Sequence, residues 1–308
     1  MATTKKSYAS GHFQLEIDGH KSTAYVKSCD GGWTRASVVD DPVGGDAYRI
    51  KHIATLDVEP ISIEFGLAGA NDMLSWIKGS WARKFSRRDG QITHADFNLN
   101  GMYSHEFHQA LVTETTFPVL DGNSKDGGYL KCKIQPEWCV SKVLPGTQKI
   151  SAPEPAQQKM WLTSAFRLVI DGMDDMQYTN KIESFTIKQG IKKVAVGEQR
   201  LPQIEPTKIE FPTISGTISL NYAGQVLKWY NQYIQTGRRD DKSQRSGAIE
   251  FLAPNRKDVI FRINMYEVGI NFASIEASTA NADSIKRCKF ELYVHHMEMD
   301  GSGGLGFA

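Results

Sequence analysis

Alternating apolar and polar positions predict short strands along most of the chain. The segment His12 to Ile17 has an apolar side chain at every second position, which is the period of a half-buried strand, and Asp18-Gly19 then has the composition of a turn. Further strands are predicted at 23–29, 48–56, 61–65, up to 99, 101–117 and 129–140, and then at 165–170, 180–188, 192–196, 217–220, 258–275 and 285–299. Segments 40–46 and 197–212 lack this periodicity and are predicted to be exposed loops.

A helical period replaces the strand period at two places. The apolar positions of these two segments are Leu74, Ile77, Trp81 and Phe85 within 71–85, and Val226, Leu227, Tyr230 and Ile234 in the second. Asn71 and Asp72 suit the N-cap of the first helix, and Asn221 suits that of the second. The predicted fold class is therefore mainly β, with one helix packed on each small antiparallel β-barrel or sandwich. One helix cannot cover both faces of a sheet, so the strands either close on themselves or leave a face and edges for a partner subunit.

One pattern occurs twice. Phe-x-Leu-x-Ile-Asp-Gly stands at 13–19 and again at 166–172, and Leu-x-Trp stands at 74–76 and again at 227–229, so both copies are 153 residues apart. Further correspondences follow in the same order: 89–92 with 246–249, Phe107 with Phe261, Phe117 with Phe272, and 131–134 with 287–290. A constant spacing over several motifs indicates an internal duplication.

The duplication predicts the division of the 308-residue chain into domains. Residues 1–144 form the first β domain, and 145–160, which contain Pro145, Pro153 and Pro155, form an extended linker. Residues 161–300 form the second β domain, and 301–308 form a flexible Gly-rich tail. Each domain is long enough to bury a core of its own.

The overall charge changes this picture little. With 36 Lys and Arg against 35 Asp and Glu, the formal net charge is +1, so the total predicts no strong attraction to nucleic acid or to an anionic membrane. No stretch approaches the ~18 apolar residues of a membrane span and no secretory leader is recognisable, which predicts synthesis in the cytoplasm and no membrane insertion. The four cysteines form no Cys-x-x-Cys pair and are predicted to be reduced thiols.

The motifs that could carry chemistry are weak. Gly-x-Gly-x-x-Gly at 301–306 is followed by too few residues for the helix that would receive a phosphate, and the Ser-x-x-Lys at 75–78 lacks both key residues in the second copy. The histidine clusters at 105–108 and 295–296 lie on predicted strands, where their side chains point to opposite faces, and the acidic run at 171–175 lacks the order of a calcium loop. We therefore predict no catalytic residue, cofactor or metal site, and no enzymatic activity.

Two basic clusters, each just after a helix, are the candidate site. They comprise Arg83, Lys84, Arg87 and Arg88 in the first half, and Arg238, Arg239, Lys242 and Arg245 in the second. One interpretation is a solvated helix end whose cations suit the helix dipole. The other is a contact with a neighbouring subunit or with cargo in a lumen, since arginine is favoured at interfaces.

Each half resembles the tail tube protein family of contractile phages and related injection systems. The matching segments are 13–19, 63–66 and 74–76 in the first half, and 166–172, 212–220 and 227–229 in the second, so the likeness extends over nearly the whole chain, twice. The resemblance implies a β-barrel with a flanking helix, domains joined into six-membered rings, and rings stacked into a hollow tube that passes DNA or protein. It also implies ring-stacking loops, which map onto Asp40, Asp41, Gly44, Asp46, Glu198, Arg200 and Glu205.

The fusion of two such domains departs from the family pattern. Three chains would supply six domains to one pseudo-sixfold ring, either in the tube or at a junction between tube and baseplate hub. A six-chain double ring is a further possibility. The resemblance implies other tube, sheath or baseplate proteins as partners, and a final location in a phage particle or injection apparatus. The alternative function is a two-domain β-sandwich binding module, for example for carbohydrate, which aromatic-rich strands also permit.

Overall fold

A computed structural model describes the chain as antiparallel strands with one main helix in each half, over residues 11–21, 24–42, 45, 48–67, 69–151, 161–237, 243–277 and 285–301. The first half contains β1 (His12–Ile17), β2 (His20–Lys21), β3 (Tyr25–Gly31), β4 (Thr34–Asp41), β5 (Ile50–Val58), β6 (Ile61–Gly66), α1 (Asn71–Trp81), β7 (Arg88–Ala95), β8 (Gly101–Phe117), β9 (Leu120–Asp121), β10 (Tyr129–Gln135) and β11 (Trp138–Val143). The second contains β12 (Phe166–Ile170), β13 (Thr179–Ile182), β14 (Phe185–Val194), β15 (Gln203–Glu210), β16 (Ile214–Ser219), α2 (Gly224–Tyr230), β17 (Arg245–Leu252), β18 (Val259–Ile275) and β19 (Arg287–Asp300).

The predicted mainly β class is confirmed, and so are the two long strands that end at Phe117 and Ile275. The prediction of a loop over 197–212 is wrong, because Gln203–Glu210 forms β15 and pairs with β14. The prediction of a loop at 40–46 is wrong at its start, since Asp40 and Asp41 lie in β4 opposite Lys51 and Ile50. Both segments are arms of hairpins whose outer faces are polar, and this polarity conceals the strand period.

The helices are shorter than predicted and begin differently. The first helix ends at Trp81, because Arg83 takes a left-handed conformation with a φ of 60° and the Lys84 N–H bonds to the Gly79 carbonyl. Its N-cap residue is Ala70, so the capping role predicted for Asn71 is wrong. The same holds for Asn221, which lies in a 3₁₀ turn before α2. The Leu-x-Trp motif supplies the buried face in α1, where Leu74 and Trp76 enter the core.

The two halves have the same strand order. The sheet of the first half runs β1-β7-β8-β10-β6-β3, and that of the second runs β12-β17-β18-β19-β16-β13, which is the same sequence of equivalent strands. The strand β19 corresponds to β10 and β11 together, and Pro136, which has no N–H to donate to a ladder, lies where the first-half strand is interrupted. The internal duplication inferred from sequence is thus present in the topology.

The strand registers correct part of the sequence alignment. Gly90 faces Phe107 across the ladder, whereas its counterpart Gly247 faces Met265, so the long strands β8 and β18 correspond with a spacing of 158 residues. The predicted equivalences of Phe107 with Phe261 and of Phe117 with Phe272 are therefore wrong. The partner of Phe117 is Ile275, and Lys131 corresponds to Lys289 in place of Arg287. Chemical identity at a short spacing was misleading because the hairpin before β18 is longer.

The halves share strands and a core. The hairpin β14–β15 of the second half continues the first-half sheet through β8, and β9 of the first half pairs with β13 of the second. The first-half sheet curls, so that β1 and β3 at the two ends of its strand order contact each other. Buried apolar residues of both halves form one continuous cluster, and α1 contacts β19. The domain boundaries predicted at 144 and 161 remain a proposal.

Candidate functional site

The junction between the halves is built by strand addition. The first residues of β14 lie antiparallel to the end of β8 in four pairs, namely Phe185 with Phe117, Thr186 with Thr116, Ile187 with Thr115 and Lys188 with Glu114. The hydroxyl oxygens of Thr116 and Thr186 are 2.9 Å apart. The same stretch of β8 pairs with β10 on its other side, so the end of β8 is a central strand. Backbone hydrogen bonds fix the register, and side chains of alternate residues fill the space on each face.

Phe117 is the apolar anchor of this junction. Its ring stacks on Phe185 at 4.9 Å between centroids and lies 5.6 Å from Phe251 and 6.4 Å from Phe261, both in the second half. The Phe117 side chain is fully buried, although its strand belongs to the first-half sheet. A residue of one half thus completes the aromatic core of the other, and each aromatic pair adds about 0.5–1.5 kcal/mol to what area burial supplies.

Arg87 supplies the polar part of the junction. Its guanidinium lies 3.0 Å from a Glu205 carboxylate oxygen and 3.8 Å from one of Glu137, and it donates a hydrogen bond to the Ile204 carbonyl. The Glu137 carboxylate also accepts the Ile204 N–H at 3.0 Å. Two residues predicted for separate roles, Arg87 and Glu205, are therefore brought together. Their pairing joins the end of the first-half helix region to the second-half hairpin.

The other basic residues have different environments. Arg88 lies 5.8 Å above the Trp76 ring and 3.5 Å from Asp18, and its counterpart Arg245 lies 5.5 Å above Trp229 and donates to the Asp171 carbonyl. These two contacts are equivalent and lie within each half, so they connect the Leu-x-Trp helix to the turn after the first strand. The remaining predicted residues are exposed, as for Arg83 and Lys84, or lie outside the described residues, as for Arg238, Arg239 and Lys242.

The predicted ring-stacking residues are dispersed. Asp40 and Asp41 end β4, Glu198 and Arg200 are exposed in the connection after β14, and Glu205 lies on β15 beside Arg87. Gly44 and Asp46 lie outside the described residues. Only Glu198 and Arg200 occupy a loop among those described, and the stacking role of the whole set remains a proposal.

A cavity of about 140 Å³ opens in the first half. Its lining comprises Cys29, Asp30, Gly31, Trp33, Ile61, Ile92, His94, Tyr103 and His105. Trp33 is half exposed, and its ring centroid lies 5.1 Å from that of His105. Burial lowers the pKa of His105 and, with the nearby His105 charge, that of His94, and burial raises the pKa of the Cys29 thiol to about 11. These groups are consequently uncharged near neutral pH.

The histidine and cysteine side chains give no sign of a metal centre. Within the described ranges, no three His, Cys, Asp or Glu residues come close enough together to hold a metal ion. The four cysteines are free thiols, with Cys132 and Cys288 buried and Cys29 and Cys139 partly so. In the part of the chain that the structure describes, no helix is both long and apolar enough to cross a membrane.

The sequence did not reveal the junction. The anchor Phe117 and its partner Phe185 were recognised as strand residues but not as contacts between halves. A local signal existed, because Phe185 and Ile187 alternate at the start of a strand whose later residues are polar. Such a change along one strand is typical of a hairpin that is buried only at its base.

No protein-family model matches the chain, and no curated protein matches it. Several solved structures are similar. A chain of the PVC sheath–tube complex, an extracellular contractile injection system in the extended state, shares 14% identity over 46% of this chain and 95% of its own, with a TM-score of 0.41. The tube-terminating cap of the anti-feeding prophage shares 14% over 47% and 96%, with a TM-score of 0.42. Hcp1 from Flavobacterium johnsoniae shares 10% over 45% and 97%, with a TM-score of 0.27. Each likeness extends over about half of the present chain and nearly all of the other.

Proposed function

We propose that this chain is a structural subunit that forms a ring in the hollow tube, or at the junction of tube and baseplate hub, of a phage tail or contractile injection system. One observation carries the proposal: two equivalent units are joined through unlike surfaces, the β14–β15 hairpin of one and the end of β8 of the other. A contact between unlike surfaces of equivalent units can repeat in one direction, and the repeat closes into a ring or continues as a filament.

The ring would contain three chains. Six equivalent units, two from each chain, suit pseudo-sixfold symmetry, and a double ring of six chains is the variant to be distinguished. The proposal keeps 1–144 and 161–300 as the two tube-type domains with 145–160 as their linker. It also includes other tube, sheath or baseplate proteins as partners, passage of DNA or protein through the channel, assembly in the cytoplasm, and a purely structural role without catalysis.

The exposed charged residues are then candidates for contacts beyond one ring. Arg83 and Lys84 would face a neighbouring subunit or the lumen together with Arg238, Arg239 and Lys242. Glu198 and Arg200 would contribute to stacking between rings. Arg87, Arg88 and Arg245 are engaged inside the chain, so they are weaker candidates for such contacts.

The oligomeric state tests the proposal directly. Mass photometry over a range of salt and protein concentrations should detect a species of three times the 34.4-kDa chain, and electron microscopy should show rings with a central channel. A species of six chains would favour the double ring. A protein that is monomeric under all these conditions, with no ring on grids, would contradict the proposal.

A second candidate function rests on the cavity beside Trp33. An exposed tryptophan next to Tyr103 is a surface on which a sugar ring could stack, which suits a carbohydrate-binding module. Binding to a glycan array by a monomer, abolished in Trp33→Ala, would favour this function. The ring hypothesis predicts no such binding.

A further inference from the structure

The hairpins β4–β5 and β14–β15 are equivalent residue by residue. Arg35 pairs with Asp57 in the first as Lys188 pairs with Glu210 in the second, each 153 residues further along. Both ladders shift register at the same place, next to Ser37 in one and Gly190 in the other. A β-bulge conserved at one position of two hairpins marks a common structure and a common twist. The two hairpins should therefore present the same edge to a neighbouring sheet.

Their surroundings differ. The base of β14 is covered by β8, and Phe185 and Ile187 are 4% and 2% exposed. Among the described residues, β4 and β5 pair only with each other. Their exposed large apolar side chains are Trp33, just before β4, and Val38, Val39, Ile50 and Ile53. Five such side chains on one two-stranded ribbon form the kind of apolar surface that marks an interaction site.

An equivalent acceptor edge lies at the end of β18. By the spacing of 158 residues, Glu114 to Phe117 of β8 correspond to Phe272 to Ile275 of β18. Those residues pair with β19 on one side, as their counterparts pair with β10. Their other edge has no strand partner in the part of the chain that is described, and Phe272 and Ile275 are 42% and 52% exposed. An exposed edge of this kind is a template for strand addition.

The socket that receives Phe117 also has a counterpart. In the second half, Phe117 lies against Phe251 and Phe261, which correspond to His94 and Tyr103 of the first half through the shared pairings of Phe166 and Phe13. His94 and Tyr103 line the cavity of about 140 Å³. The first half thus has an open cavity at the place where the second half holds an aromatic ring of its neighbour.

We propose that the β4–β5 hairpin adds to the edge of β18 in a second copy of this chain, and that Ile275 of that copy enters the cavity beside Trp33. The expected pairs follow the junction within the chain and are Gly32 with Ile275, Trp33 with Ser274, Thr34 with Ala273 and Arg35 with Phe272. This inference rests on the proposed function, because it names the contact through which chains would close a ring.

The chemistry of the surfaces suits this contact. The cavity walls are apolar or uncharged near neutral pH and can accept an isobutyl-sized group, and Thr34 and Ala273 are small enough to face each other. Where Lys188 faces Glu114 within the chain, Arg35 would face Phe272, an arrangement that permits a cation–π contact. The donor lies in the first half and the acceptor in the second, so each chain both gives and receives.

A cysteine trap tests the register. The Thr116 and Thr186 hydroxyls, 2.9 Å apart, occupy the positions equivalent to Ser274 and Trp33. Trp33→Cys and Ser274→Cys proteins, purified separately, mixed and mildly oxidised, should yield a covalent dimer of twice the 34.4-kDa chain, with positions 33 and 274 in one linked peptide. The doubly substituted T116C/T186C chain should form an intramolecular link and is the positive control. Trp33→Cys mixed with Phe97→Cys, whose position is 85% exposed, is the control for random collision.

The outcomes separate the contact from the function. Rings that form without a 33–274 link would overturn the contact and leave the proposed function standing. A monomer that forms neither rings nor links would overturn both. A dimer formed by Trp33→Cys alone, at the yield of the mixture, would indicate a symmetric contact and would also overturn the inference.

Substitutions at Ile275 provide a second test that does not depend on oxidation. Ile275→Asp should lower the association constant by about tenfold or more, because it places a carboxylate in an apolar contact. Ile275→Phe should assemble, since a phenylalanine occupies the equivalent socket. Val143→Asp, at a position 87% exposed, is the matched control and should assemble normally. Unchanged assembly of Ile275→Asp, with a native circular dichroism spectrum, would contradict the inference.

Discussion

The two halves share their backbone plan but differ in the space beside the long strand. In the second half this space is filled by aromatic rings: Phe251 stacks on Phe261 at 4.1 Å, and Phe117 and Trp161 pack around them. In the first half the equivalent positions hold His94 and Tyr103, whose neighbour His105 bonds to the Ser141 hydroxyl at 2.8 Å and to the Gly32 carbonyl at 3.1 Å. One site is an apolar core and the other is a polar aromatic cavity.

This difference follows from when each site is covered. The second-half site is completed by the chain itself as it folds, so it can be as apolar as any core. The first-half site faces solvent until a second copy arrives, and polar aromatic side chains can be hydrated in the meantime. Interfaces that must also exist as free surfaces are in general more polar than permanent ones. Equivalent backbone positions therefore need not carry equivalent chemistry.

Replacing the two equivalent anchors should give the largest contrast. Phe117→Ala should lower the free energy of unfolding by about 3–5 kcal/mol, because it removes a fully buried ring from an aromatic cluster. Ile275→Ala should change the stability of the dilute monomer by less than about 0.5 kcal/mol, because Ile275 is half exposed there. Urea unfolding followed by circular dichroism measures both. Equal losses for the two variants would mean that the anchors are not in different environments.

Two equivalent glycines should break the symmetry less. A Cβ on Gly90 would lie 2.3 Å from the Glu16 carbonyl oxygen, and one on Gly247 would lie 2.5 Å from that of Val169. Gly90→Ala and Gly247→Ala should each destabilise by about 1–3 kcal/mol, because the clash is with backbone of the first strand of each half.

Gly197→Ala is the control for the glycine pair, since nothing lies within 4 Å of its added Cβ, and it should stay within about 0.5 kcal/mol of the wild type. Thermal and urea unfolding of the three variants provide the measurement. If only one of the two equivalent glycines proves sensitive, the close approach of the strands is not a shared feature of the fold.

The sequence predicted what depends on local pattern. The Phe-x-Leu-x-Ile-Asp-Gly strands, the Leu-x-Trp helices and the long strands ending at Phe117 and Ile275 all carry a period that one chain segment displays by itself. The duplication was visible because the spacing of 153 residues survives from the first strand to the helix. These features require no knowledge of what lies across the sheet.

The site depended on contacts that no segment displays. β15 was missed because its outer residues are polar, and the partner that buries Ile204 comes from the other half. The pairing of Phe117 with Phe272 failed because a longer turn at 253–258 shifts the following strand by whole residues. Arg87 was singled out for its charge, yet its engagement with Glu205 required two segments 118 residues apart. Long-range register is decided by packing and loop length together.

The ion pair of the junction should have the smallest effect. A double-mutant cycle of Arg87→Ala and Glu205→Ala should give a coupling energy of about 0.5–1 kcal/mol, reduced by salt, because the two side chains are 32% and 54% exposed and solvent screens them. Urea unfolding at low and high ionic strength measures it. Lys208 and Glu210 form a matched pair 2.6 Å apart but more exposed and within one strand, and their coupling should be nearer zero. A junction pair no stronger than this control would mean that Arg87 does not help to hold the halves together.

The same pair sharpens the comparison between the contact within the chain and the contact between copies. The positions equivalent to Arg87 and Glu205 are Gln244 and His52, which bring no strong ion pair to the contact between chains. Salt should accordingly weaken the coupling at the junction while it leaves ring assembly largely unchanged, since assembly would depend on Ile275 and the apolar face of β4–β5. Sedimentation at increasing salt tests this. Rings that dissociate at the ionic strength that abolishes the Arg87–Glu205 coupling would show that charge, and not the apolar socket, holds the chains together.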